Sequence, residues 1–417
     1  MKPLRIAPLA LAVLLAAGCS SSEDTQPPAE LVEFRSTADI VRVWSASVPG
    51  AEPRLRLGLG VAAEGEAIIA AGHDGDVIAF NRADGRRLWR TSTKLKLSGG
   101  PGTGQGIAVV GSNGGDIVAL DAATGEIRWR TRINSEVLSA PHIANDTVLL
   151  RLVDGRLVAL RAADGTQMWS VEEEVPRLSL RGTARPLIVG NLAVSGFDNG
   201  RVLAAQLSDG ATVWEINVAP PTGRSELERL VDIDTAIHAL GDSIYVVTYQ
   251  GRAASLDRAT GDVNWTRDMS SYSGLAIDDE AVYVSTAEGA VVRLNRANGV
   301  EIWRQEALSR RRLSAPAVLG PLVAVADLAG YVHFLDRSNG ALAARVHPLS
   351  ARVITPPVVS GDILVMMDVE GNIAALRIAA VGEEARGNIV RGKSGGGGGG
   401  SGSTPSNRSP TRTRPGL

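Results

Sequence analysis

With a single cysteine, Cys19, in 417 residues, the chain can form no intramolecular disulfide and has no vicinal cysteine pair or Cys-x-x-Cys-His haem site. Aromatic residues make up only 4% of it, too few to fill a core by themselves. Charge is nearly balanced at a net -2, so the basic footprint of a nucleic-acid binder is missing. The amino-terminal apolar run, Ile6 to Leu15, is too short to span a bilayer. The five histidines, His73, His142, His238, His333 and His347, show no metal-ligand spacing. There is no Gly-x-Ser-x-Gly elbow, and the Gly-rich stretch Gly102-Thr103-Gly104-Gln105-Gly106 lies between strands with no following helix to make a phosphate loop.

What is present begins at the amino terminus. Lys2 and Arg5 precede the apolar run, and Ala16-Ala17-Gly18-Cys19 follows it, which describes a signal peptide over 1–18. The small residues before Cys19 resemble a bacterial lipobox, in which the thiol is acylated after export; Ser20 in place of an aspartate points to the outer membrane's periplasmic face. Two or three acyl chains anchor stably where one does not. Residues 19–38, polar and Pro-containing at their start, read as a lipidated flexible tether. Residues 381–417, with six consecutive glycines, read as a disordered tail.

Between these ends the tryptophans form a comb. Gly75, Gly115, Gly155, Gly200, Gly251 and Gly289 are each followed fourteen residues later by a tryptophan: Trp89, Trp129, Trp169, Trp214, Trp265 and Trp303. Such an offset inside units of about 38 to 51 residues marks a repeat architecture. Within a unit, five- or six-residue apolar runs alternate with Asn-Gly, Asp-Gly and Thr-Gly turns, as in Ile107–Gly111, Asp116–Asp121 and Ile127–Thr131. Two further glycines, Gly330 and Gly371, continue the comb series without a tryptophan, and Pro101, Pro141, Pro186, Pro316 and Pro357 each precede a glycine of the series by fourteen residues. Proline donates no ladder hydrogen bond, so this slot marks a strand whose free edge lines a central channel. The fold expected is all-β, an eight-bladed propeller of four-stranded antiparallel blades over 39–380. Trp44 has strand character and no unit before it, so the N-terminal strand is expected to complete the last blade and close the ring. The seventh unit has Ala344 where tryptophan belongs, and seven blades is the alternative count.

Length variation is concentrated between one tryptophan and the next unit. The gap is twelve residues from Trp89 to Pro101 and from Trp129 to Pro141, then seventeen from Trp169 to Pro186 and twenty-three from Trp214 to Ile237, which takes the proline's slot. Insertions confined to one face of a repeat array usually build its binding surface. The first contains Leu178, Leu180 and Arg181; the second contains Asp232 and Asp234. Two readings of these residues stand. In one they form an apolar contact with a charged rim; in the other the leucines are core and the aspartates cap turns.

The tryptophan repeat resembles that of pyrroloquinoline-quinone propellers. Within that group the chain is similar to the BamB family of outer-membrane assembly lipoproteins, on the wording of Leu178-Ser179-Leu180-Arg181-Gly182, Asp198-Asn199-Gly200-Arg201-Val202 and Arg229-Leu230-Val231-Asp232-Ile233-Asp234-Thr235. The resemblance implies a non-catalytic scaffold in the Bam complex, with Leu178, Leu180, Arg181, Asp232 and Asp234 contacting the POTRA domains of BamA while unfolded outer-membrane protein precursors arrive. It implies no cofactor and no metal. The rival on the same frame is a quinoprotein dehydrogenase, whose vicinal cysteines this chain lacks, or a polysaccharide-binding propeller.

Overall fold

Hairpin turns at the comb glycines fold each unit into one antiparallel sheet. The computed structural model describes residues 26–53, 55, 57–176, 178, 184–220, 224–225 and 231–380. Its thirty-three strands form eight sheets, and the chain is an eight-bladed β-propeller. Seven blades are four consecutive strands, the inner one facing the channel and the outer one carrying the tryptophan in all but the seventh, which has Ala344. The eighth is completed by Ile40–Ser47, which pairs antiparallel with Asn372–Ile378 and sets Trp44 opposite Ala375. Ring closure therefore runs through the N-terminal strand, as the position of Trp44 predicts.

One blade exceeds the expected four strands. Gly58–Leu59 adds a short parallel strand beside Leu97–Gly104, the inner strand of the second blade. A proline ahead of these two residues helps line the channel.

The comb has a structural cause. Each indole nitrogen donates to a backbone carbonyl of the next blade at 2.8 to 3.0 Å, from Trp44 to Arg82 around to Trp303 to Arg337. Each ring lies flat on the glycine that ends the neighbour's last hairpin turn: Trp129 covers Gly165, where an added Cβ would come within 2.5 Å of the ring and where φ is +73°. The tryptophan, the carbonyl and the glycine thus form one staple between adjacent blades, used seven times. A β-bulge at every outer pair adds twist beside it.

Ala344 is the missing tooth because its neighbour is the closing blade. There the two outer strands come from opposite ends of the chain, so no turn and no turn glycine exist to receive a ring. The volume is made up across the strand: where the other complete blades pair the tryptophan with Ala, Ser or Arg, Ala344 faces the buried Phe334.

The segment 27–38 differs from its expected behaviour as a free tether. Arg310 Nε donates to the Pro27 carbonyl at 2.8 Å, Arg311 to that of Ala29 at 2.9 Å, and Arg345 to that of Val32 at 3.1 Å. The Arg345 guanidinium lies 5.0 Å from the centre of the Phe34 ring, and the Thr37 and Ala38 amides both donate to the Ala343 carbonyl. Composition read this strap as tether because most of its holding groups are its own backbone carbonyls and amides, which no residue-type count registers. Below it, Asp327 accepts from Arg311 at 2.7 Å and contacts His333 at 3.0 Å, so Arg311, one of the arginines that hold the strap, is itself fixed. Cys19 and residues 381–417 lie outside the described part of the chain.

Candidate partner-binding face

Alternating strand direction puts every outer-to-inner connection on the same side of the ring as the comb-glycine turns. Both long insertions follow that rule, one between the third and fourth blades and one between the fourth and fifth. In the first, Leu178 is exposed at 43%, a large apolar side chain presented to solvent. Leu180 and Arg181 lie outside the described residues.

The second insertion returns to the ring through Val231–Thr235, and this return is rigid. The Tyr249 amide donates to the Asp232 carbonyl at 2.8 Å, and the Ile233 amide donates to that of Phe197 at 3.3 Å. Ile233 is buried against Gly196, where an added Cβ would stand 2.3 Å from the Ile233 Cγ2. Asp232 is itself fully buried, so its carboxylate does not reach a partner while the segment is closed. Both faces of the segment are covered, one by the fourth blade and one by the fifth. Asp234 is half-buried and stands on the channel wall. Of the five residues expected to act together, the described structure places Leu178 at the surface and the aspartates at the insertion's root.

We expect Gly196→Ala to lower stability by about 1–3 kcal/mol through overpacking against Ile233, read as a shift in urea midpoint. An unchanged midpoint would mean that the segment yields at no cost.

Arg151 is the residue that sequence reasoning missed. It ends the second strand of the third blade and is 1% exposed, paired with Asp198 at 3.3 Å in the turn of the fourth blade. Its Nε also donates to the Gly196 carbonyl at 3.4 Å, and its guanidinium lies 4.5 Å from the centre of the Phe197 ring. Burial lowers the Arg151 pKa, and the charges of Asp198, Asp154, Asp234 and Asp232 act against that shift. Burial likewise raises Asp198, which Arg151 holds down in part. One guanidinium thus ties the third blade, the fourth blade and the root of the second insertion together. The comb contains the signal: four residues before each comb glycine the other blades carry Ala, Gly, Val, Ser or Met, and only the third carries a charge.

The channel, about 1210 Å³, opens beside this root and is lined by inner strands of the blades. Among the described residues there is no group of three or more His, Cys, Asp or Glu placed to hold a metal ion, and no helix is long and apolar enough to cross a membrane.

A closed propeller that keeps its repeat everywhere except on one connection side, and roots those exceptions in buried charge, belongs to the class of repeat platforms that present loops. The family described as outer membrane protein assembly factor BamB matches residues 73–305 and 287–384. The chain belongs to that family. It is 50% identical to the outer membrane protein assembly factor BamB of Pseudomonas aeruginosa over 321 residues, 77% of this chain and 84% of that protein. To the Bordetella pertussis protein of the same name it is 36% identical over 320 residues, 76% and 82% of the two chains. Among solved structures, BamB from Moraxella catarrhalis matches with a TM-score of 0.75 and 28% identity, covering 81% of this chain and 100% of that one. Quinohemoprotein alcohol dehydrogenase from Comamonas testosteroni, at 12% identity and a TM-score of 0.65 over 86% of this chain and 79% of that one, shares the fold alone.

Proposed function

We propose that this protein is a non-catalytic scaffold of the β-barrel assembly machinery, anchored by lipid on Cys19 at the periplasmic face of the outer membrane. In this reading its connection side binds the POTRA domains of BamA and so assists folding and insertion of outer-membrane β-barrel proteins. The observation that carries the reading is the family match along 73–384, joined to two consecutive insertions on one side of the ring. Leu178, Leu180 and Arg181 supply the contact. A large aliphatic side chain exposed in an insertion whose sequence also carries arginine suits a desolvated centre with a polar rim. Asp232 and Asp234 act one step back, holding the second insertion's root against Arg151.

Capture of BamA POTRA domains by the purified chain tests this. The double variant Leu178→Ala with Arg181→Ala, shown by circular dichroism to stay folded, is expected to bind at least roughly tenfold more weakly. Undiminished capture would reject these residues as the contact.

A further inference from the structure

The inner strands line the channel with little besides small or aliphatic side chains. At the positions immediately before and after the proline slot, every blade carries Gly, Ala, Leu, Pro or Val except at three places. These fall in consecutive blades: His142 after Pro141, Arg185 before Pro186, and His238 after Ile237. Side chains alternate along a strand, so positions on either side of the slot point the same way. The result is three adjacent inner strands that each carry one nitrogen-bearing side chain beside the slot.

Arg185 and His238 stand on the channel wall. Arg185 is open to solvent through the channel yet ringed by protein, and that surrounding protein lowers its pKa, with no carboxylate among the described residues acting to raise it. Guanidinium does not release its proton in proteins, so the charge remains. Its field reaches both imidazoles: His142 and His238 are each pushed down to about 4, first by burial and then by Arg185. Near neutral pH both rings are therefore uncharged and offer one N–H each. For His142 that donor is Nε2, because Nδ1 accepts from the Ile188 amide at 2.8 Å. The described wall as a whole is positive, with Arg185, Arg312 and Arg352 against Asp234 alone, in a chain of net charge -2.

We propose that Arg185, with the ring N–H group of His238, forms an oxyanion-binding site on the channel wall, His142 standing next to it within the reach of the same charge. It takes a carboxylate or phosphate group carried by a ligand small enough to enter the channel. A cation without a counter-charge in a restricted cavity is stabilised by an anion more than the same cation at the surface, because the anion replaces water that is only partly present.

The test titrates the full chain with inorganic phosphate and, separately, with acetate, by calorimetry and by the ring resonances of His142 and His238, at ionic strength held constant with chloride. Saturable binding of either anion is expected, with both ring resonances shifting, and Arg185→Gln is expected to weaken it roughly tenfold or more. The two arms show whether the phosphate or the carboxylate group is preferred. Arg312→Gln, which removes a different channel cation, is expected to leave binding within about twofold. Unchanged affinity in a folded Arg185→Gln chain, loss confined to Arg312→Gln, or no saturable binding of either anion would overturn the proposal.

Discussion

Trp129→Ala is expected to cost about 3–5 kcal/mol of unfolding free energy, measured by urea denaturation. The ring is buried between the third-blade hairpin turn and its own blade, and its truncation removes three things together. The apolar contact is lost and a cavity left, which accounts for most of the figure. The Ala162 carbonyl loses its donor at 2.8 Å, worth about 1 kcal/mol. Gly165, held at φ +73° under the ring, loses the surface that covers it. Trp129→Phe separates these effects: it keeps much of the ring and removes the donor, so a loss of about 1–2 kcal/mol is expected. A midpoint for Trp129→Ala equal to that of the parent would refute the staple as a stabilising unit.

Arg151→Met is expected to be as severe, about 3–5 kcal/mol at neutral pH. Methionine fills much of the same volume, so the loss comes from the carboxylate left behind. Asp198 is 5% exposed, and without the guanidinium it remains charged in low dielectric beside the root of the second insertion. The pH dependence follows from the sign of its shift. Burial raises the folded-state pKa of Asp198, Arg151 opposes that rise, and removing Arg151 raises it further. A carboxyl whose folded pKa exceeds its unfolded value favours folding where it is protonated and loses that contribution as pH rises through the folded pKa. The deficit of Arg151→Met against the parent is therefore expected to be smaller at pH 5 than at pH 7. Adding Asp198→Asn removes the orphaned charge and is expected to recover part of the loss at pH 7. A deficit that is flat between the two pH values would show that Asp198 is not the group responsible.

The tryptophan spacing made the ring legible from sequence because six blades place the staple's ring at one offset from a glycine of their own; the carbonyl that receives it lies 31 to 44 residues away, so the partner carries no fixed spacing. Even the closing strand was readable, since Trp44 obeys the rule from the wrong end of the chain. The reason for Ala344 was not readable, because it depends on how the eighth blade is assembled from two termini rather than on anything near residue 344. At the candidate face, the insertions were visible as lengths, but the sequence left Leu178 between core and surface, and the structure exposes it. The burial of Asp232 was not legible, because an aspartate in a long insertion reads as rim or turn cap while this segment is packed from both sides. Arg151 went unread because it lies on an ordinary strand of a regular blade, and its importance comes from Asp198, forty-seven residues away.

The docked strap sets a limit on reach. Twenty residues of free chain between Cys19 and the first strand would let the propeller wander up to roughly 70 Å from a lipid surface. With Pro27 already fixed to Arg310, only eight residue steps separate it from Cys19, and their fully extended span is about 29 Å. That fixed point lies in an outer-to-inner connection, on the same side of the ring as both insertions. A lipid on Cys19 would therefore act less as a leash than as a short hinge, keeping the loop-bearing side of the disc within a bilayer's thickness of the membrane that the barrels must enter.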